Sequence, residues 1–318
     1  MLVKTTAHET FGALIQYLKV EALFSLAYAS MIYYLYEHRN LEFLASFSFI
    51  SVSFFGAILS VFLAFRNNNA YGRWWEARQL WGDMVNASRM MGLQTMTLIA
   101  SKDPNYSSER EEKKITALRS ELIYRHLAYI NLLRMQLRED IHLNEVHRYL
   151  GESDRQRMTQ SINPATQLLL SQGEALKEAA NQGLLTDYQL ISMMDTLARF
   201  YNIQGACERI KNTPFPREYD GFIRYLLWIL LSIIPIYFLS IFPDDLSKAL
   251  IIPITVAVTL VLGFANKAGE IMEDPFENRV HDIPMTALCN TIERDMLQQL
   301  NTFCPIPEKV RPHENIVW

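Results

Sequence analysis

Four apolar stretches of this chain carry no charged side chain: residues 22–36, 43–65, 225–242 and 249–265. No other feature restricts the possible folds so strongly, because a helix crossing a hydrocarbon layer needs about 20 mostly apolar residues. The second stretch passes that test easily, and the third and fourth pass narrowly. The first is long enough once Val20 is included, with Lys19 and Glu21 reaching the water boundary. Together the four make up under a quarter of the 318 residues, and the mean hydropathy is +0.01. A typical charged soluble enzyme and a chain lying mostly in lipid are both excluded. The expectation is an all-α integral membrane protein with a large water-exposed part.

Topology follows from the connections. Only residues 37–42 separate the first two stretches and only 243–248 the last two, so the spans pair into two transmembrane hairpins. Of the 30 Lys and Arg, only Arg39 and Lys248 fall in those short loops. The positive-inside rule puts the hairpin tips outside, with the central segment and both chain ends in the cytoplasm. No cleavable signal peptide is expected at the N-terminus, since the apolar run starts late and no small-residue cleavage site follows. Phe11, Leu14, Ile15 and Leu18 instead share a helical face, as in an interfacial helix leading into the first span. The expected organisation is 1–65 (interfacial helix and first hairpin), 66–221 (cytosolic helical domain), 222–266 (second hairpin) and 267–318 (cytosolic C-terminal segment).

The central segment reads as helices. Leu118, Leu122, Tyr129, Leu133 and Leu137 recur at helical spacing, with Arg119, Arg134 and Arg138 largely off that face. Asn163-Pro164 marks a helix start and Gly183 its end. Thr186-Asp187-Tyr188-Gln189 matches a capping box, opening a helix that runs to about Asn212. Sustained period-two alternation, a phosphate-cradling Gly loop and an internal repeat are all lacking, so strands are not expected.

Charge and motifs exclude several functions. The net charge of −4 gives no reason to expect a nucleic-acid partner. Cys207, Cys289 and Cys304 are too few and too scattered for a disulfide framework or a zinc site, and reduced thiols are expected. His142 and His147 do not share a helical face, and neither His-Glu-x-x-His nor Gly-x-Ser-x-Gly occurs. His126 is expected as a satisfied interior residue. Nothing asks for catalysis, a metal or a cofactor.

The second charge-free stretch is more informative. It mixes bulk (Phe54, Phe55, Ile58, Leu59, Phe62, Leu63) with small residues (Ser46, Ser48, Ser51, Ser53, Gly56, Ala57, Ser60). Small residues let transmembrane helices approach one another. Alternatively, one face lines a pore: Ala57, Val61 and Phe65 lie at i, i+4 and i+8. Repeated around an axis, they would form apolar rings of the kind that gate by dewetting. Arg66 and three amides, Asn67, Asn68 and Asn69, follow at once. They suit a juxtamembrane anchor, and equally a set of polar groups near a pore that replaces part of an ion's hydration.

The run FRNNNAYGRWWEAR (residues 65–78) also resembles the signature of the bestrophin family in its bacterial branch. Further matches follow in order: Trp81-Gly82, then Cys207-Glu208-Arg209-Ile210 with Asn212-Thr213-Pro214-Phe215-Pro216. Glu273-Asp274-Pro275-Phe276 and His281-Asp282-Ile283-Pro284 complete the set. The resemblance implies a homopentamer around one central pore, four transmembrane helices per chain and a helical cytosolic vestibule. Carried over from the Arg73-Trp74-Trp75 anchor, it implies a narrow neck at Ala57, Val61 and Phe65. It places a second, lower aperture near Gln189, where capping of the helix by Gln189 is the competing role.

One departure matters. Animal bestrophins hold calcium after the last span, partly in a run of aspartates. Here Glu277 replaces the usual Gly, and Arg279 and Val280 interrupt the acidic run before Asp282. Glu270, Glu273 and Asp274 remain as candidate ligands, too few for the oxygen cage calcium prefers. The expectation is thus an inner-membrane, multi-pass ion channel passing monovalent ions, with anions such as chloride favoured, whose partners are its own copies and membrane lipid. The alternative is a membrane-anchored interaction protein. A transporter fits less well, since no inverted repeat or ionisable residue within a span occurs.

Overall fold

The computed structural model describes residues 7–39, 49–101, 109–242, 248–300 and 307–308. Every regular element among them is a helix: α1 (Ala7–Arg39), α2 (Phe49–Leu98), α3 (Glu109–Leu137), α4 (Leu143–His147), α5 (Glu152–Thr159), α6 (Pro164–Asn181), α7 (Asp187–Asn212), α8 (Arg217–Ile241), α9 (Ile251–Glu273) and α10 (Met285–Leu300). The all-helical expectation holds for these residues. The start of the second charge-free stretch (43–48), the tips at 40–42 and 243–247, and Cys304 lie outside them, as do the side chains of Phe11, Leu14 and Ile15.

Two compact units share the chain. One holds α1, α2 as far as Trp74, α8 and α9; the other holds α2 from Trp75, α3 to α7, and α10. In the first unit α8 and α9 are each long and apolar enough to cross a membrane. α1 lies chiefly against α9. Leu59 and Leu63 of α2 bury against Ile223, Leu226 and Leu230 of α8. Pro235 sits inside α8, a position that transmembrane helices tolerate when neighbours satisfy the freed carbonyl.

The second unit has its own apolar core. α3 opens on Glu109, Glu111 and Glu112, which favour a helix N-terminus. Leu122, Tyr129, Leu133 and Leu137 of the expected stripe are buried and Leu118 half-buried, but from Leu122 to Leu137 the helix is buried on nearly all sides rather than on one face. Asn163 caps α6, its Oδ1 accepting the Thr166 N–H at 3.1 Å, with Pro164 preset for the first turn. Two residues past the end of α6 stands Gly183, whose φ of 78° is open to glycine at little cost. There the N–H groups of Gly183 and Leu184 return to the carbonyls of Ala180 and Ala179, so the last turn is satisfied. Thr186 and Gln189 close the expected capping box on α7.

Among the polar residues buried in this unit, Arg125 and His126 of α3 stand out. Arg125 of α3 donates from Nε to Asp154 of α5 at 2.7 Å, both side chains 7% exposed, and also meets Glu121. His126 is buried, with Nε2 2.9 Å from Ser88 Oγ and its ring against Phe200. Burial lowers its pKa to about 3, so the ring is neutral at physiological pH. This is the satisfied interior histidine expected from its position. Burial likewise pushes the free thiols of Cys207 and Cys289 up to about 12.

Candidate ion pathway along helix α2

The first half of α2 has two unlike faces. Leu59, Leu63, Arg66 and Ala70, at three- and four-residue steps, are buried. On the other side Phe54, Ala57, Val61, Phe65, Asn68 and Gly72 form an exposed stripe at the same spacing. Val61 is 64% and Phe65 65% exposed. Ser60, beside the stripe, turns its hydroxyl back to the Gly56 carbonyl at 2.8 Å. The stripe is therefore apolar from Ala57 to Phe65 and changes to amides at Asn68 and Asn69.

Arg66 and Asn67 do not join it. The Arg66 side chain is 2% exposed and reaches α8 and α9: Nη2 lies 2.6 Å from Asp220 Oδ1 and 3.6 Å from Glu273 Oε2, and Nη1 donates to Asn266 Oδ1 at 2.7 Å. Asn67 donates from Nδ2 to the Ala265 carbonyl at 2.9 Å. Arg73 donates from Nε to the Glu273 carbonyl at 2.9 Å. Of the four polar residues expected near a pore, the structure leaves Asn68 and Asn69 exposed and uses the other two to tie helices together. The local sequence held no signal for this, because the partner Asn266 stands 200 positions further along.

Gln189 is half-buried in the other unit, and its Oε1 accepts from the Thr186 N–H (2.9 Å) and hydroxyl (3.0 Å). Its carbonyl end is thus committed to the cap. Two neighbours on that first turn and a half, Tyr188 and Ile191, are exposed large side chains that the sequence reading passed over. Their sizes were visible in the sequence; their exposure was not.

The acidic residues around the end of α9 are engaged within their own units. Glu270 pairs with Lys267 at 2.7 Å and accepts from Asn266 Nδ2 at 3.2 Å, and Glu273 faces Arg66. Glu277 pairs with Lys211, and Asp282 accepts the Arg279 N–H at 3.0 Å. Among the described residues, no group of three or more His, Cys, Asp or Glu side chains is placed to hold a metal ion.

Comparison with known proteins gives one answer. Residues 5–298 match the profile of a family described as bacterial/fungal bestrophin protein. The voltage-dependent anion channel-forming protein YneE of Escherichia coli K12 is 32% identical over 291 residues, covering 91% of this chain and 87% of the relative. A voltage-dependent anion channel-forming protein of Mesorhizobium japonicum is 28% identical over 264 residues, 83% of this chain and 78% of its own. The crystal structure of a bacterial bestrophin homolog from Klebsiella pneumoniae superposes with a TM-score of 0.78. It is 23% identical and covers 89% of this chain and 98% of that one.

Proposed function

The chain belongs to the bacterial and fungal bestrophin family, and from that premise we propose that it is a pore-forming channel for monovalent anions in the inner membrane. The observation that carries the reading is the exposed stripe Ala57, Val61, Phe65 on a helix whose opposite face is buried. Large apolar side chains turned away from their own fold call for lipid, a partner surface or a dry passage, and the change to amides along the stripe after Phe65 supports the passage. In this reading α1, the first part of α2, α8 and α9 are the four spans, and five copies set α2 around a common axis. The stripe is then the neck, with chloride as the representative ion. The names borne by the relatives support the anion, and the length and apolar character of α8 and α9 support the membrane.

In this reading residues 1–65 and 222–266 lie in or on the membrane and 66–221 and 267–318 on the cytoplasmic side, whereas the compact units divide at Trp74, Thr213 and Asp274. Asn68 and Asn69 offer N–H donors to an anion leaving the neck. Gln189 is retained as the candidate for the lower aperture, while it also caps α7. Purified protein reconstituted into liposomes tests the function. Under a salt gradient the current reverses toward the chloride equilibrium potential. Reversal toward the cation potential rejects the anion, and absence of any current rejects the channel.

A further inference from the structure

Arg66 is the one charged residue on the buried stripe of α2, in line with Leu59, Leu63 and Ala70. An apolar side chain there would let α2 turn or slide against its neighbours, since apolar contacts are not directional. A guanidinium is different: its planar fork is satisfied in one orientation only. Here one arm meets Asp220 of α8 and the other meets Asn266 of α9.

Both partners are themselves held. Asp220 takes a second hydrogen bond from Arg224 at 2.8 Å. The Asn266 carboxamide is oriented by Glu270, which can only accept; its Nδ2 therefore faces Glu270 and its Oδ1 faces Arg66. Gly269 completes the fit, because a Cβ there would stand 2.3 Å from Asn67 Oδ1 and 3.7 Å from Arg66 Cδ.

We propose that Arg66 is a positioning residue: its clamp on Asp220 and Asn266 fixes the rotation of α2, and so decides that Phe65 and Val61 face the ion pathway. Successive helical residues stand about 100° apart, so a small turn at Arg66 carries Phe65 off the stripe. Arg66 acts through geometry and does not serve as a charge that ions meet. The inference rests on the neck assignment proposed above.

The test uses the full-length protein in liposomes with Cys207, Cys289 and Cys304 replaced by Ala. A single cysteine, Phe65→Cys, reacts with a small charged methanethiosulfonate while current is recorded. Three separate changes then loosen the clamp: Arg66→Lys, which keeps the charge and loses the fork, Asp220→Asn, and Gly269→Ala. The expected result is that the reaction at position 65 slows about tenfold in each, with the ratio of anion to cation permeability unchanged. Should one variant not assemble, the other two carry the test.

Unchanged reactivity in correctly assembled variants overturns the positioning role. A changed permeability ratio at constant reactivity also overturns it, because Arg66 would then act as a charge. If Phe65→Cys with an intact clamp neither reacts nor alters the current, the neck assignment itself fails, which is a separate and recognisable outcome.

Discussion

Phe65 and Arg66 are consecutive in the chain and opposite in environment: the apolar ring is 65% exposed and the guanidinium 2%. Such an inversion of ordinary preference is stable only if the charge is paired and the ring has somewhere to go; Nη1 and Nη2 of Arg66 are engaged, while its buried Nε has no partner. The pairing is visible at Asp220 and Asn266. The destination of the ring gives the first prediction.

If Phe65 and Val61 line the neck, Phe65→Ala and Val61→Ala widen an apolar ring that gives an ion nothing in return for lost water. A barrier lower by about 0.5–1 kcal/mol raises unitary conductance roughly two- to fivefold. Ala57→Ile acts in the opposite sense. Single-channel recording checks both signs, and size-exclusion profiles check that assembly is kept. Unaltered conductance together with loss of the oligomer would assign these side chains to helix packing.

The buried pair Arg125–Asp154 gives an asymmetric stability prediction. Arg125→Met leaves the Asp154 carboxylate buried without its partner and costs about 3–5 kcal/mol. Adding Asp154→Asn recovers much of that loss, because the stranded charge is removed. Thermal unfolding of single and double variants measures the coupling.

His126 makes the cytosolic core acid-sensitive. Its folded-state pKa is about 3 against an ordinary 6.5, so between those values the unfolded chain binds the proton and the folded chain does not. Stability is complete above about pH 6.5 and falls on acidification, by up to about 1.4 kcal/mol per pH unit from this residue. His126→Gln flattens that limb, as melting temperatures at pH 7.5 and pH 5.5 will show.

Gln189→Glu separates capping from conduction. A glutamate also completes a capping box and suits a helix N-terminus, so stability holds, whereas Thr186→Ala loses about 0.5–2 kcal/mol. If Gln189 rims the lower aperture, the same change adds a negative charge per subunit and reduces anion current. Melting curves and conductance on one preparation report both.

Calcium is expected to leave the channel unchanged. Glu270, Glu273 and Glu277 already face Lys267, Arg66 and Lys211, so a cation would have to displace positive side chains to gain its oxygens. Open probability compared in chelator and in added calcium decides this, and a steep micromolar rise would refute it.

Much of the helical architecture was legible because it depends on local pattern. Unlike the burial of α3 on nearly all sides, the Asn163 and Thr186 caps and the Gly183 stop each follow from residues within a few positions of one another. The stripe Ala57, Val61, Phe65 was legible for the same reason, although periodicity alone left packing and pore-lining open. Arg66 was not legible. Beside an apolar span, a lone arginine suits a lipid-facing anchor, and the partners that bury it come from α8 and α9. The continuation of α2 through residues 66–78 agrees with the local sequence, since that run holds no Pro and its single Gly72 does not stop a helix.

The spacing along α2 has a consequence for how this sequence can change. Leu59, Leu63 and Arg66 are buried at helical spacing within one unit. One residue added or deleted between Leu63 and Arg66 would rotate the arginine by about 100° and take it off Asp220 and Asn266. Only additions near whole turns, about seven residues at a time, keep that alignment. Drift in this part of α2 is therefore confined to substitution.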